Sequence, residues 1–363
     1  MSRRCLVALA LAARAAAADP PAALLDGLRH LHADLLDFDP ADQAAWEASR
    51  YRRHALRAAA GNAAPRERAW ALSGHANLEP TGWLLFRLDA RDERTPDAEL
   101  SRLGADMLFR VAPGLEVGVS GSPDVLKDRG AWGLAALHRS KDGARFLAVR
   151  VLQERPLYDQ KNFEGGRRDG EQWRGQLEAR WAAGDGSIWL RLDGGNAARF
   201  SFPAGDASSE QRSEADLHLR WGAVGVRVAG RRQDGERASA LGRDGMRRGS
   251  VVARPYASLR FAALTLRATG LWAEERAVGF DAGRRFEVSR RDLGARLGAL
   301  FERGPASLEI GHGIAVSGGR LAEEAHLAAR FRFGDRAHLR LLGSRQLASG
   351  AFGGLGGSFE AVF

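Results

Sequence analysis

Histidine near serine or a carboxylate is the first pattern to weigh for chemistry, because a general base must reach the proton it removes. His312 stands in Gly311-His312-Gly313 with Ser317 nearby, and His138 is followed by Arg139 and Ser140. His218, His326 and His338 alternate with charged residues. Acid–base hydrolysis is the chemistry such groups would serve. None of them forms a nucleophile–base–carboxylate motif, so the expectation is no enzyme and no catalytic residue. The 9 histidines show neither HxxxH nor HExxH spacing, and the single cysteine is Cys5. No metal centre and no cofactor is therefore expected. Gly353-Gly354-Leu355-Gly356-Gly357 lacks the Lys-Ser/Thr that a phosphate loop needs, and reads instead as close backbone packing in a strand.

Arginine is the residue type with a pattern. Arg87, Arg110, Arg150, Arg180, Arg191, Arg220, Arg227, Arg254, Arg260, Arg267, Arg296, Arg330, Arg332 and Arg340 fall at alternate positions of apolar segments. Asp89, Asp106, Glu116, Glu154, Glu178, Asp193, Glu214, Asp216, Glu309 and Glu360 share that face. If the face lines an enclosed lumen, the excess of arginine makes the field positive and concentrates anions. The plainer reading is that opposite charges pair across strands and stiffen the wall. Arg167, Arg168, Arg231, Arg232, Arg247, Arg248, Arg284 and Arg285 fall in expected outer loops, where the guanidinium fork suits the phosphates of lipopolysaccharide. The net charge of +9 does not point to nucleic acid, because the basic residues alternate with apolar ones and form no single patch.

These side chains need elements to position them. From about Trp83 onward the apolar residues recur with period two. Leu217, Leu219 and Trp221 oppose Asp216, His218 and Arg220; Ala325, Leu327, Ala329, Phe331 and Phe333 oppose His326, Arg330 and Arg332. Alternation over roughly ten residues fits a strand with lipid on one face and water on the other. In hydrocarbon every backbone group must be paired, so such a sheet must close. Short turns are expected near Pro113-Gly114, Ser140–Gly143, Gly184-Asp185, Gly222, Ala262, Gly304-Pro305 and Gly334-Asp335. Longer loops are expected near 92–98, 121–130, 155–171, 195–211, 233–248, 276–287, 317–321 and 347–353. The alternation of short and long connections gives an all-β transmembrane antiparallel barrel of about sixteen strands over residues 69–363, with 69–79 either a further strand or a linker.

Phe109, Trp181, Trp221, Phe261, Phe301, Phe333 and Phe363 each fall beside a short turn or at the chain end, as an aromatic girdle at one membrane interface would. Trp132, Trp173 and Trp272 fall toward the other ends. Phe359, Ala361 and Phe363 share a face of the last strand, which resembles the C-terminal signal read by the barrel assembly machinery. Arg3-Arg4, the apolar Cys5–Ala13 and the alanines before Asp19-Pro20 read as a signal peptide over 1–18. The expected location is the outer membrane of a Gram-negative bacterium, with the N-terminus periplasmic.

Residues 19–68 read differently. Leu24, Leu25, Leu28, Leu31, Leu35 and Leu36 form one stripe at helical spacing, Asp39-Pro40 breaks it, and a second helix is expected from about Ala41 to Ala60, stopped by Gly61-Asn62. This is a periplasmic α-helical hairpin and linker. Its segment Ala33-Asp-Leu-Leu-Asp37-Phe-Asp-Pro40-Ala-Asp-Gln-Ala-Ala-Trp46 resembles the junction between two tetratricopeptide helices. Helices of that type before a barrel of this size resemble the export porins for exopolysaccharides such as Pel, poly-N-acetylglucosamine and cellulose. The resemblance implies passage of a polymer, an anionic one if the lumen is positive. Those porins carry long repeat arrays, whereas this chain has room for about one repeat. Three functional readings follow: a pore, for polysaccharide export; a general or anion-selective diffusion porin, narrowed by 155–171 or 233–248 folded inward; and a non-conducting receptor or anchor whose lumen the hairpin fills.

Overall fold

The computed structural model describes residues 40–64, 67–95, 98–122, 130–155, 167–168, 171–196, 198–201, 207–239, 242–281, 284–317, 320–334, 336–347 and 352–363. The expected signal peptide and the expected first helix of the hairpin lie outside these residues.

Among the described residues one helix, α1 (Pro40–Ser49), precedes the strands β1 (Ala55–Ala64), β2 (Glu67–Thr81), β3 (Leu84–Thr95), β4 (Ala98–Ala112), β5 (Leu115–Ser122), β6 (Gly130–Arg139), β7 (Phe146–Arg155), β8 (Arg167–Arg168), β9 (Gln172–Ala183) and β10 (Gly186–Gly195). There follow β11 (Ala198–Ser201), β12 (Ala207–Trp221), β13 (Val224–Ser239), β14 (Gly242–Phe261), β15 (Leu264–Asp281), β16 (Arg284–Arg303), β17 (Ala306–Ser317), β18 (Arg320–Phe333), β19 (Ala337–Gln346) and β20 (Phe352–Val362). The short β8 and β11 pair with each other, and β11 also pairs with β12, so they extend the β9–β10 hairpin. Every neighbouring pair is antiparallel, and β1 closes the ring against β20 from Ala55↔Val362 to Gly61↔Gly356. The result is a closed barrel of 18 strands.

The count corrects the expectation of about sixteen, and the correction lies at the N-terminal side. The helix expected to run to Ala60 ends at Ser49, where the Ser49 hydroxyl bonds the Trp46 carbonyl at 2.7 Å and the amides of Arg52 and Arg53 both reach the Ser49 carbonyl. His54 and Phe363 then exchange both backbone hydrogen bonds, at 3.2 and 2.8 Å. That contact delivers Ala55–Ala64 to the open edge of β20, and β2 covers its other edge. Alanine favours helix locally, but an unpaired sheet edge costs more than that preference returns. The barrel therefore begins at Ala55, ahead of residue 69.

The short turns fall where the glycines place them. Gly114, Gly143, Gly184, Gly222, Gly304 and Gly334 all have φ between 53° and 74°, and Ala262 has a φ of 51°. Gly82-Trp83 makes a further turn between β2 and β3. The other rim departs from expectation. β13 runs to Ser239 and β14 starts at Gly242, so 233–248 is a hairpin continuing the wall; it does not fold inward to narrow the lumen. The same holds for 276–287, which belongs to β15 and β16.

Candidate functional site: a lumen occupied by its own N-terminal helix

Alternation sorts the side chains into two environments. On one face of the wall, Leu134, Leu259, Leu297, Ile310 and Leu327 are exposed. On the other, Arg87, Asp106, Arg150, Glu178, His218 and Glu309 are buried, which is possible only inside the ring. Phe109, Trp181, Trp221, Phe261, Phe301, Phe333 and Phe363 are all exposed at the short-turn ends. Trp83 joins them, stacked on Phe109 with ring centroids 5.9 Å apart.

Helix α1 and the turn after it lie inside the barrel. They touch β1, β2, β3, β7, β9 and β12, which only a segment within the ring can reach together. The Arg50 guanidinium donates to both carboxylate oxygens of Glu178 at 2.8 and 3.0 Å and pairs with Asp89 at 2.5 Å. Glu47 meets His218 Nδ1 at 2.8 Å, and the opposite ring nitrogen meets the Tyr256 hydroxyl at 2.8 Å. Gly225, beside Tyr256, has no room for a Cβ, which would stand 2.5 Å from the Leu219 carbonyl oxygen. Gln43 bonds Glu47 at 2.9 Å and accepts from Arg57, which also pairs with Glu360. Ser49 meets His75 at 3.1 Å, and the His75 ring stands edge-on to Trp46.

The turn is held as firmly. Asn77 donates to the carbonyls of Arg50 and Arg53, and Arg139 to that of Tyr51 at 2.8 Å. Backbone carbonyls buried away from water must be satisfied in this way. Tyr51 is fully buried among the inward-facing Leu85, Leu108, Leu137, Phe146 and Trp189. Its ring lies 4.6 Å from Phe146, with the Arg87 guanidinium over it at 4.5 Å. Burial pushes the Tyr51 phenol above its ordinary pKa. Burial also opposes the charge on Arg50, but Asp89 and Glu178 more than compensate and raise it overall. The carboxylates Asp89 and Glu178 were legible as inward positions; Glu47, Arg50 and Tyr51, their counterparts on the N-terminal segment, were not.

The arginine row is divided by the structure. Arg87 and Arg150 share Asp106, Arg227 pairs with Asp216 at 2.6 Å, and Arg267 and Arg340 share Glu309. For these the plainer reading, pairing within the wall, describes the geometry. Arg110, Arg260 and Arg332 lie at the short-turn mouth, paired with Glu116 or Glu302. Arg180 and Arg220 donate to the carbonyls of Ala144 and Gly222. Arg191, Arg254 and Arg330 are half-buried and Arg296 is buried. Arg220, Arg267, Arg296 and Arg340, with Glu309, line a cavity of about 90 Å³ on the side of the ring away from Tyr51.

Among the described residues, the candidate histidines lie apart from one another, His218 between Glu47 and Tyr256. His312 is exposed, and its nearest carboxylate, Glu323, is 3.9 Å away. His326 faces Glu309 at 3.4 Å within the wall. Of the outer-loop arginines, Arg232, Arg247 and Arg285 are strongly exposed, whereas Arg248 is partly buried against Glu275.

No family model and no curated protein matches this chain. Among solved structures it is similar to OmpTdeltaL8, a loop L8 deletion mutant of OmpT, an outer membrane protein of Vibrio cholerae, with a TM-score of 0.39 and 7% identity over 85% of this chain and 98% of that one. It is similar to an anion-selective porin from Comamonas acidovorans, with a TM-score of 0.37 and 12% identity over 85% and 98%. The outer membrane channel DcaP of Acinetobacter baumannii gives 0.35 and 10% over 86% and 96%. Likeness this distant carries nothing about solutes. The fold stands on the pairing of the chain's own strands, an all-β closed antiparallel barrel of 18 strands with, among the described residues, one short helix before them.

Proposed function

We propose that the protein is an outer-membrane pore with a preference for anions, held shut in the described state by α1. One observation carries this reading. The N-terminal segment is fastened inside the lumen by polar contacts, Arg50 with Glu178 and Asp89 and Glu47 with His218, while a small arginine-lined cavity opens on the other side of the ring. Buried ion pairs contribute little net stability, so the polar half of this contact suits release, while the apolar nest around Tyr51 opposes it. The exposed aromatic rim favours a membrane interface, and Arg232, Arg247 and Arg285 suit lipopolysaccharide phosphates. Insertion by the barrel assembly machinery through the C-terminal strand, and a periplasmic N-terminus, belong to the same reading. The solute is then an anion, small or polymeric. An exported anionic polysaccharide would require α1 to leave the lumen.

The test is planar-bilayer recording of the full chain purified from outer membranes, beside the variant Glu47→Ala/Arg50→Ala. The expected result is a small or silent conductance for the native chain and large, anion-selective openings for the variant. Large cation-selective openings in the native chain would overturn the reading. Silence from both would favour the second reading, a surface receptor or structural anchor, which the depth of Tyr51 burial already makes reasonable.

A further inference from the structure

The outer face of the wall carries a groove that its strand pairing does not explain. A hollow of about 880 Å³ crosses β7, β9, β10, β12, β13, β14 and β15 on the side where apolar residues are exposed. Its floor is made of small residues. Gly175 pairs with Gly194 and Gly194 with Ser213 across neighbouring strands, and Gly230 and Gly249 continue the floor on β13 and β14. Val149, Val151, Leu192 and Val251, each 38% exposed or more, supply its apolar sides with Leu177 and Trp272.

Glycine weakens a strand interior unless something must approach it closely. At Gly118, Gly133 and Gly195 the wall itself is the reason, since a Cβ would collide with the backbone of Met107, Val151 and Trp173. Gly175, Gly230 and Gly249 have no such neighbour. A Cβ there would stand 3.8 Å or more from the nearest heavy atom beyond the chain neighbours. None of the three has a positive φ or lies at a break in register. The wall does not require these glycines; what they provide is depth on the lipid side.

Toward the long-hairpin end the groove runs into a second hollow of about 640 Å³, with which it shares Arg232, Gly249 and Arg276. Arg247 and Arg285 line that hollow too, with Glu236. Asp234 pairs with Arg232 and Arg247, and Glu287 with Arg276 and Arg285. Four guanidiniums thus meet three carboxylates, and each of the four is more than half exposed. An apolar groove that ends in clustered arginines matches an acyl chain with a phosphate at its head. A second copy meeting this face with its own would set arginine against arginine.

We propose that the groove binds one phosphorylated glycolipid of the outer leaflet, the lipid A part of lipopolysaccharide. An acyl chain lies over Gly175, Gly194 and Gly230, and Arg232, Arg247, Arg276 and Arg285 hold a phosphate. The inference deepens the reading of the exposed arginines and rests on the long-hairpin end lying in the outer leaflet, but its test does not use conductance.

The test is native mass spectrometry of the full chain extracted from outer membranes in mild detergent, delipidated and titrated with lipid A. A single bound lipid A is expected, with the dephosphorylated lipid held about tenfold more weakly or worse. Arg232→Ala with Arg276→Ala should weaken lipid A to a similar degree. Gly175→Leu with Gly230→Leu, for which the wall has room, should do the same while heat-modifiable gel migration shows the barrel folded. Equal retention of the two lipids overturns the proposal, as does a folded floor variant that binds lipid A as well as the native chain. A dimer or trimer that forms without lipid and is lost in the floor variant gives the groove to a second copy, and overturns it too. Phosphate-dependent retention by a barrel that is silent in bilayer recordings would keep the site and remove the pore. A chain that fractionates away from outer membranes overturns the placement and the lipid together.

Discussion

At the scale of single residues, Tyr51 shows how the N-terminal segment is held. Its ring fills an apolar nest of wall side chains, and its hydroxyl donates to Glu178 at 3.3 Å and accepts from Arg150 at 3.2 Å. Burial raises the phenol's pKa, the direction that disfavours ionisation in the docked state. Once α1 leaves the lumen the phenol would ionise near its ordinary value of about 10. The docking contribution of Tyr51 is thus fully present below that pH and is lost as pH rises through the raised value. Alkaline titration followed by phenolate absorbance should show one tyrosine ionising late, together with release of α1. Tyr51→Phe should remove that late step and keep the ring packing, at a cost of about 1 kcal/mol for the lost hydrogen bonds. A late step that persists in Tyr51→Phe would assign it to another tyrosine.

At the scale of elements, the hairpins are set by their turns. Six of the short turns use glycine at positive φ, and among the described residues Ala262 alone does so with a side chain. A non-glycine residue in the left-handed region costs about 1 kcal/mol. Ala262→Gly should therefore raise stability by about that amount in urea unfolding from lipid vesicles; a loss would mean that the Cβ packs usefully in the turn. The turns were legible because glycine and the end of alternation coincide in the sequence. The loop-side rim was not, because 233–248 and 276–287 are rich in charge and glycine, and charge alone does not separate a loop from a hairpin standing in water. Cross-strand pairs such as Arg276 with Glu287 and Arg291 with Glu274 hold those extensions.

At the scale of the whole molecule, a polar interior and an apolar exterior invert the usual arrangement, and the surrounding solvent must be lipid for that to be stable. Leu134 is 70% exposed in the middle of β6. Leu134→Arg should destabilise the barrel in vesicles by about 2–4 kcal/mol if that site lies near the bilayer midplane. Full stability in the same assay would mean that this face does not meet hydrocarbon. The lumen side behaves as a soluble core does. Arg50–Glu178 and Arg150–Asp106 are buried pairs, and removing one partner leaves a charge stranded, so these paired arginines add no net positive field to the lumen.

The sequence by itself determined the period-two wall, its two faces, the short turns and the aromatic ends, because each is a local property of neighbouring residues. It also determined which wall positions carry charge. Only the tertiary structure decided where the N-terminal segment goes. Arg50 and Glu178 are 128 positions apart and Glu47 and His218 are 171, so no spacing along the chain announces their contact. The strand β1 was hidden for the same reason. Ala55–Ala64 reads as helix on local preference, and becomes a strand because β20 and β2 each present an edge whose backbone groups must be paired.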